Sequence, residues 1–102
     1  MVAVVNDTYS FFDILSQRYN IQMFENKRTP QSICYLGEAY TTRGELFVVS
    51  VVVRMGTTEL KVFKVNGMSR SCVFQKNYST RTDNYALSKS VSLFNFLDKV
   101  MY

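Results

Sequence analysis

Glu45-Leu46-Phe47-Val48-Val49-Ser50-Val51-Val52-Val53-Arg54-Met55 leads into Gly56-Thr57, and Thr58-Glu59-Leu60-Lys61-Val62-Phe63-Lys64-Val65 leads into Asn66-Gly67. A third run, Met68-Ser69-Arg70-Ser71-Cys72-Val73-Phe74, completes the stretch. β-branched and aromatic residues fill the runs, and pairs that tolerate positive φ separate them. A Gly-first pair suits a type II′ hairpin turn and Asn-Gly suits type I′. The stretch therefore predicts three antiparallel strands.

Turns at Gly56-Thr57 and Asn66-Gly67 predict the pairing. The first places Arg54 opposite Glu59, Val53 opposite Leu60 and Val51 opposite Val62. The second places Phe63 opposite Arg70, Lys61 opposite Cys72 and Leu60 opposite Val73. Because side chains alternate with period two, these registers sort them by face. One face collects Phe47, Val49, Val51, Val53, Leu60, Val62 and Val73, an apolar set expected to carry the helices. The other collects Val48, Val52, Arg54, Glu59, Lys61, Phe63, Val65, Met68, Arg70, Cys72 and Phe74. A one-sided antiparallel sheet is normally polar on its second face, whereas this one mixes valine and phenylalanine with cations. Three readings compete for it: coverage by a second layer of the chain, a protein interface that includes sheet-to-sheet dimerisation, or a nucleic-acid platform.

Outside this stretch, Phe11, Ile14 and Leu15 mark an amphipathic helix over Thr8–Tyr19, capped by Asn6, Asp7 or Thr8 and stopped at Asn20. Ile21–Phe24 reads as a short strand, Glu25–Gln31 as a charged loop closed by Pro30, and Ser32–Thr42 as a strand. In that strand Cys34 and Leu36 alternate with Ile33 and Tyr35, and Gly37 marks a bulge. Thr42–Glu45 is the next hairpin turn, of open register. Leu87, Val91, Phe94, Leu97 and Met101 form a stripe with helical spacing, which predicts a C-terminal helix. The expected fold is a single α+β domain over residues 1–102: an antiparallel four- to five-stranded β-meander flanked by an N-terminal and a C-terminal α-helix.

The 102 residues are 47% hydrophobic and 20% charged, a globular composition at a length that supports one core. The net charge of +4 is mildly basic and compatible with nucleic acid or an acidic protein surface. No apolar run reaches the roughly 18–20 residues a membrane span needs, and the N-terminus lacks a signal-peptide pattern. A cytoplasmic (intracellular) protein with Cys34 and Cys72 as inert thiols is expected.

The chain has no histidine, which removes the commonest general base and metal ligand. Its carboxylates are scattered singly, and its glycines read as turns or a bulge. Neither a metal nor a cofactor is expected. Small basic ribonuclease toxins of the RelE kind, which can work without histidine, are similar to this chain in size, charge and sheet-plus-helix character. That resemblance implies Tyr78, Arg81 and Tyr85 as its working set, although the arginine-rich strand pattern of that family is absent.

The expected function is non-catalytic binding by a small regulatory or inhibitory protein of the viral-accessory type. Its partner is another protein or a second copy of itself. Val52, Phe63, Met68 and Phe74 are the apolar anchors, and Arg54, Lys61 and Arg70 set orientation. The alternative is nucleic-acid binding through Lys61, Lys64, Arg70, Lys76 and Arg81.

Overall fold

The computed structural model describes residues 2–79 and 91–101, with side chains from 10 to 78 and from 91 to 101. In chain order its elements are α1 (Val2–Tyr19), β1 (Gln22–Arg28), β2 (Ser32–Tyr40), β3 (Leu46–Arg54), β4 (Thr57–Asn66), β5 (Ser69–Ser79) and α2 (Val91–Met101). The five strands form one antiparallel sheet in the order β1-β2-β3-β4-β5. This is the α+β meander that the hydrophobic pattern implies. The predicted start of the C-terminal helix around Leu87 lies outside the described residues.

Both helices lie on one face of the sheet. Phe11, Leu15 and Tyr19 of α1 and Leu93, Phe94, Leu97 and Met101 of α2 join Tyr35, Phe47, Val49, Val51, Leu60 and Val62 in one buried cluster. The expected core face is therefore the real one, except at Val73. The two helices are also tied to each other. The Tyr19 hydroxyl donates to Asp98 Oδ1 at 2.6 Å, Arg18 pairs with Asp98 at 3.2 Å, and the Arg18 guanidinium sits 5.2 Å from the Phe94 ring centre. α1 stops at Asn20, which takes φ 58°, the left-handed cap conformation that asparagine tolerates. The helix starts at Val2 rather than Thr8. Asn6, Asp7 and Thr8 lie within it because their helix penalty is small and no proline or glycine interrupts the run.

Three local readings are corrected. β1 continues through Glu25, Lys27 and Arg28, predicted as loop, since an edge strand has one solvent flank and tolerates charge; a register irregularity between Glu25 and Lys27 breaks its ladder. Gly37 is not a bulge but is paired in register with Met23 and Val49. A Cβ there would meet Met23 Sδ and Ile21 Cγ2 and lie 3.0 Å from the Gln22 carbonyl oxygen, so the side chains of Ile21 and Met23 occupy the space that a side chain at this position would need. Both hairpin turns are displaced by one residue. Arg54 pairs with Thr57 around Met55-Gly56, and Asn66 pairs with Ser69 around Gly67-Met68. The glycines supply the positive φ, 81° at Gly56 and 60° at Gly67, while asparagine stays in the strand. Arg54 therefore does not face Glu59, which pairs with Val52 instead.

The β2–β3 connection is organised by buried Thr41, whose hydroxyl accepts from the backbone N–H of Arg43 at 3.2 Å and of Glu45 at 3.1 Å. Glu45 then binds Lys64 at 2.7 Å and Arg43 at 3.0 Å. Arg43 also donates to the Val100 carbonyl at 3.4 Å, near the end of α2 where helix carbonyls lack intrahelical partners.

Two predictions follow from these contacts. Gly37→Ala loses about 2 kcal/mol in urea unfolding, the size expected for an overpacked site. The Lys64 ammonium, and after it Arg43, holds the Glu45 carboxyl below its ordinary value of 4.5. A depressed folded-state pKa stabilises above the unfolded value, and that contribution is lost as pH falls through the folded one. The stability gap between wild type and Glu45→Gln is therefore present at neutral pH and closes in acid; an unchanged gap at low pH contradicts the assignment.

The outer face of the sheet as candidate interaction site

Strand registers define what the face opposite the helices presents. Reading across β2, β3, β4 and β5, one row is Tyr40, Leu46, Val65 and Arg70. The next is Glu38, Val48, Phe63 and Cys72. Then come Leu36, Ser50, Lys61 and Gln75, with Phe24 of β1 beside Leu36, followed by Cys34, Val52, Glu59 and Asn77, with Lys27 beside Cys34. Arg54 closes the far end of β3. An apolar band thus runs from Tyr40, Leu46 and Val65 through Val48 and Phe63 to Leu36, Phe24, Cys34 and Val52.

Phe24 is 53% exposed and Tyr40 69%. Leu36, Leu46, Val52, Phe63 and Val65 are half-buried. Val48 is buried yet lies outside the core cluster.

Three of the charges on this face, Glu59, Lys61 and Arg70, are engaged locally. Lys61 Nζ lies 3.5 Å from Glu59 on the same strand, and the Arg70 guanidinium sits 5.8 Å from the Phe63 ring centre, within cation–π range.

The predicted anchors separate. Val52 and Phe63 lie in the apolar band, with Lys61 and Arg70 on the same face and Arg54 exposed at its end. Met68 stands fully exposed in the β4–β5 turn rather than on the face. Phe74 is on the opposite side. A bulge between Val62 and Phe63 leaves Val73 unpaired and sets Phe74 against Val62. That one-residue shift turns Phe74 toward the helices, where its ring meets Phe96 at 5.4 Å. Val73, predicted for the core, is 39% exposed.

The nucleic-acid set is split as well. Lys61 and Arg70 share the outer face. Lys64, bound to Glu45, and Lys76, paired with Leu60, lie on the helix side, and Arg81 lies outside the described residues. Of the ribonuclease set, Tyr78 is on the helix side with Lys76 Nζ 5.8 Å from its ring centre, while Arg81 and Tyr85 lie outside the described residues.

Residues missed from sequence are Phe24, Leu36, Cys34, Tyr40 and Leu46. The alternation in β2 separates Cys34, Leu36, Glu38 and Tyr40 from Ile33, Tyr35, Gly37 and Ala39, but without a register it could not be joined to β3.

Cys34 and Cys72 are both free. Among the described residues no group of three His, Cys, Asp or Glu side chains could hold a metal, and no helix is long and apolar enough to cross a membrane. A groove of about 390 Å³ between α1 and β1 is lined by Phe12, Asp13, Met23, Glu25 and Tyr35 among others; Arg28 pairs with its Glu25 at 2.7 Å. No protein-family model matches this sequence, and neither a curated protein nor a solved structure matches it.

The bulge assigns different roles to the two phenylalanines. Phe74→Ala removes a ring packed against α2 and lowers unfolding stability by about 2–3 kcal/mol. Phe63→Ala lowers it by about 1 kcal/mol or less, because that ring is backed by no described helix. Equal losses contradict the register.

Proposed function

We propose that this chain is a non-catalytic binding protein, of regulatory or inhibitory type, that engages a protein partner through the outer face of its sheet. The observation that carries this reading is the apolar band on that face while both described helices pack on the other. A contiguous apolar patch with charge interspersed is the composition of an interaction surface. Phe63 and Val52 are its anchors, joined by Leu36 and Phe24, and Arg70, Lys61 and Glu59 orient the partner. The nucleic-acid reading is weaker because the candidate cations fall on two faces and Lys61 and Lys64 are each within 4 Å of a carboxylate.

Phe63→Asp in a soluble, folded protein tests the proposal. The expected result is loss of partner capture, of self-association, or of both. If the variant changes neither, the reading is wrong. Binding to single-stranded nucleic acid that weakens steeply with salt, and is abolished by Lys61→Glu with Arg70→Glu, would replace it.

A further inference from the structure

The geometry points to the groove between α1 and β1 as a binding site for a small organic cation, an ammonium or guanidinium group on an apolar stem. The groove lies on the helix side of the sheet, at its β1 edge, and owes nothing to the reading of the outer face.

Its walls follow from the path of the chain. α1 ends at Tyr19 and β1 begins at Gln22, so the strand turns back beside the helix. The Gln22 side-chain amide donates to Ser16 Oγ at 2.8 Å and bridges the two walls at one end. Farther along β1, Met23 and Glu25 pair with Gly37 and Tyr35, and Phe12 and Asp13 face them from α1. The enclosed volume of about 390 Å³ falls within the roughly 300–1,000 Å³ of small-molecule sites.

The lining chooses the ligand. The Phe12 and Tyr35 rings meet edge to face with centres 4.9 Å apart, and Met23 packs against the core beside them. This wall holds an alkyl stem by burial and attracts a cation through its ring quadrupoles. The polar groups are chiefly acceptors. Asp13 and Glu25 bring carboxylates, and Gln22, with its NH2 given to Ser16, retains its carbonyl oxygen. None of the described residues lining the groove is a lysine or arginine. Glu25 shares its charge with Arg28 at 2.7 Å. The net negative charge therefore comes from Asp13, which is exposed and forms no ion pair with a described residue. An anion would meet carboxylates here and find no cation. A neutral apolar ligand would cover acceptors without hydrogen-bonding them, which costs binding energy. A guanidinium or ammonium group supplies the donors, and its charge strengthens each hydrogen bond.

Agmatine, an alkyl stem with a guanidinium at one end and an ammonium at the other, is the probe; pentanol supplies a similar stem without charge. Titration of the full chain, followed by amide NMR shifts, is expected to show saturable agmatine binding with a Kd of about 1 mM or below. The largest shifts fall at Phe12, Asp13, Ser16, Gln22 and Met23. Asp13→Asn, an exposed change that keeps the side-chain shape, weakens binding about tenfold or more. Glu25→Gln weakens it less, because Arg28 already shares that carboxylate, and Glu38→Gln on the outer face leaves it unchanged. Agmatine that does not saturate by tens of millimolar overturns the site. So do pentanol binding as tightly, shifts that map away from the groove, an affinity that Asp13→Asn leaves intact, or an equal loss in Glu38→Gln, which would mark general attraction to the surface. If agmatine binds as expected while Phe63→Asp changes no partner contact, the groove stands and the outer-face reading is lost.

Discussion

β3 is apolar on both of its faces, and that constraint organises the rest of the molecule. Phe47, Val49 and Val51 point into the helical layer and are buried there. Leu46, Val48 and Val52 point the other way. An antiparallel strand with one wet face alternates apolar and polar residues, and β3 departs from that at Leu46, Val48 and Val52, while Ser50 and Arg54 keep to it. α1 and α2 resolve half of the problem. Locked to each other through Tyr19, Arg18 and Asp98, they form one layer, and neither covers the outer face.

How much of this was legible follows from the arithmetic of register. Both hairpin turns lie one residue from where Gly56-Thr57 and Asn66-Gly67 predict them. Displacing a turn by one residue shifts the pairing by two, and a shift of two preserves the face of every side chain. The core face and most of the mixed face were therefore readable although no cross-strand pair was. The β4–β5 bulge is different. It inserts a single residue, which exchanges the faces of everything beyond it, and so Phe74 and Val73 trade places. Val73 and Phe74 are both ordinary strand residues, and nothing local distinguishes the one left unpaired. Docking of Phe74 against Phe96 of α2 selects it, a long-range contact that local sequence does not contain.

β1 was hidden for a related reason. Glu25-Asn26-Lys27-Arg28 has the composition of a loop, and it is a strand only because β2 offers a ladder to join. Edge strands are where charge within a strand is useful, since it discourages a further strand from adding. Gly37 is a separate case: with no side chain there, those of Ile21 and Met23 lie over its backbone.

These features bear on where a further strand could add to the sheet. A sheet can meet a partner at its edges or on its face. β1 presents Glu25, Lys27 and Arg28 along its edge and interrupts the ladder after Glu25. β5 carries Arg70 and Lys76, and its ladder is broken at Val73. Charge and bulges are two of the devices that prevent edge-to-edge pairing, and each edge has both. The centre of the outer face carries no bulge; of the carboxylates there, Glu59 is paired with Lys61 and Glu38 stands exposed beside Val48. Strand addition is disfavoured at both edges of the sheet, and the outer face lacks those two devices in combination.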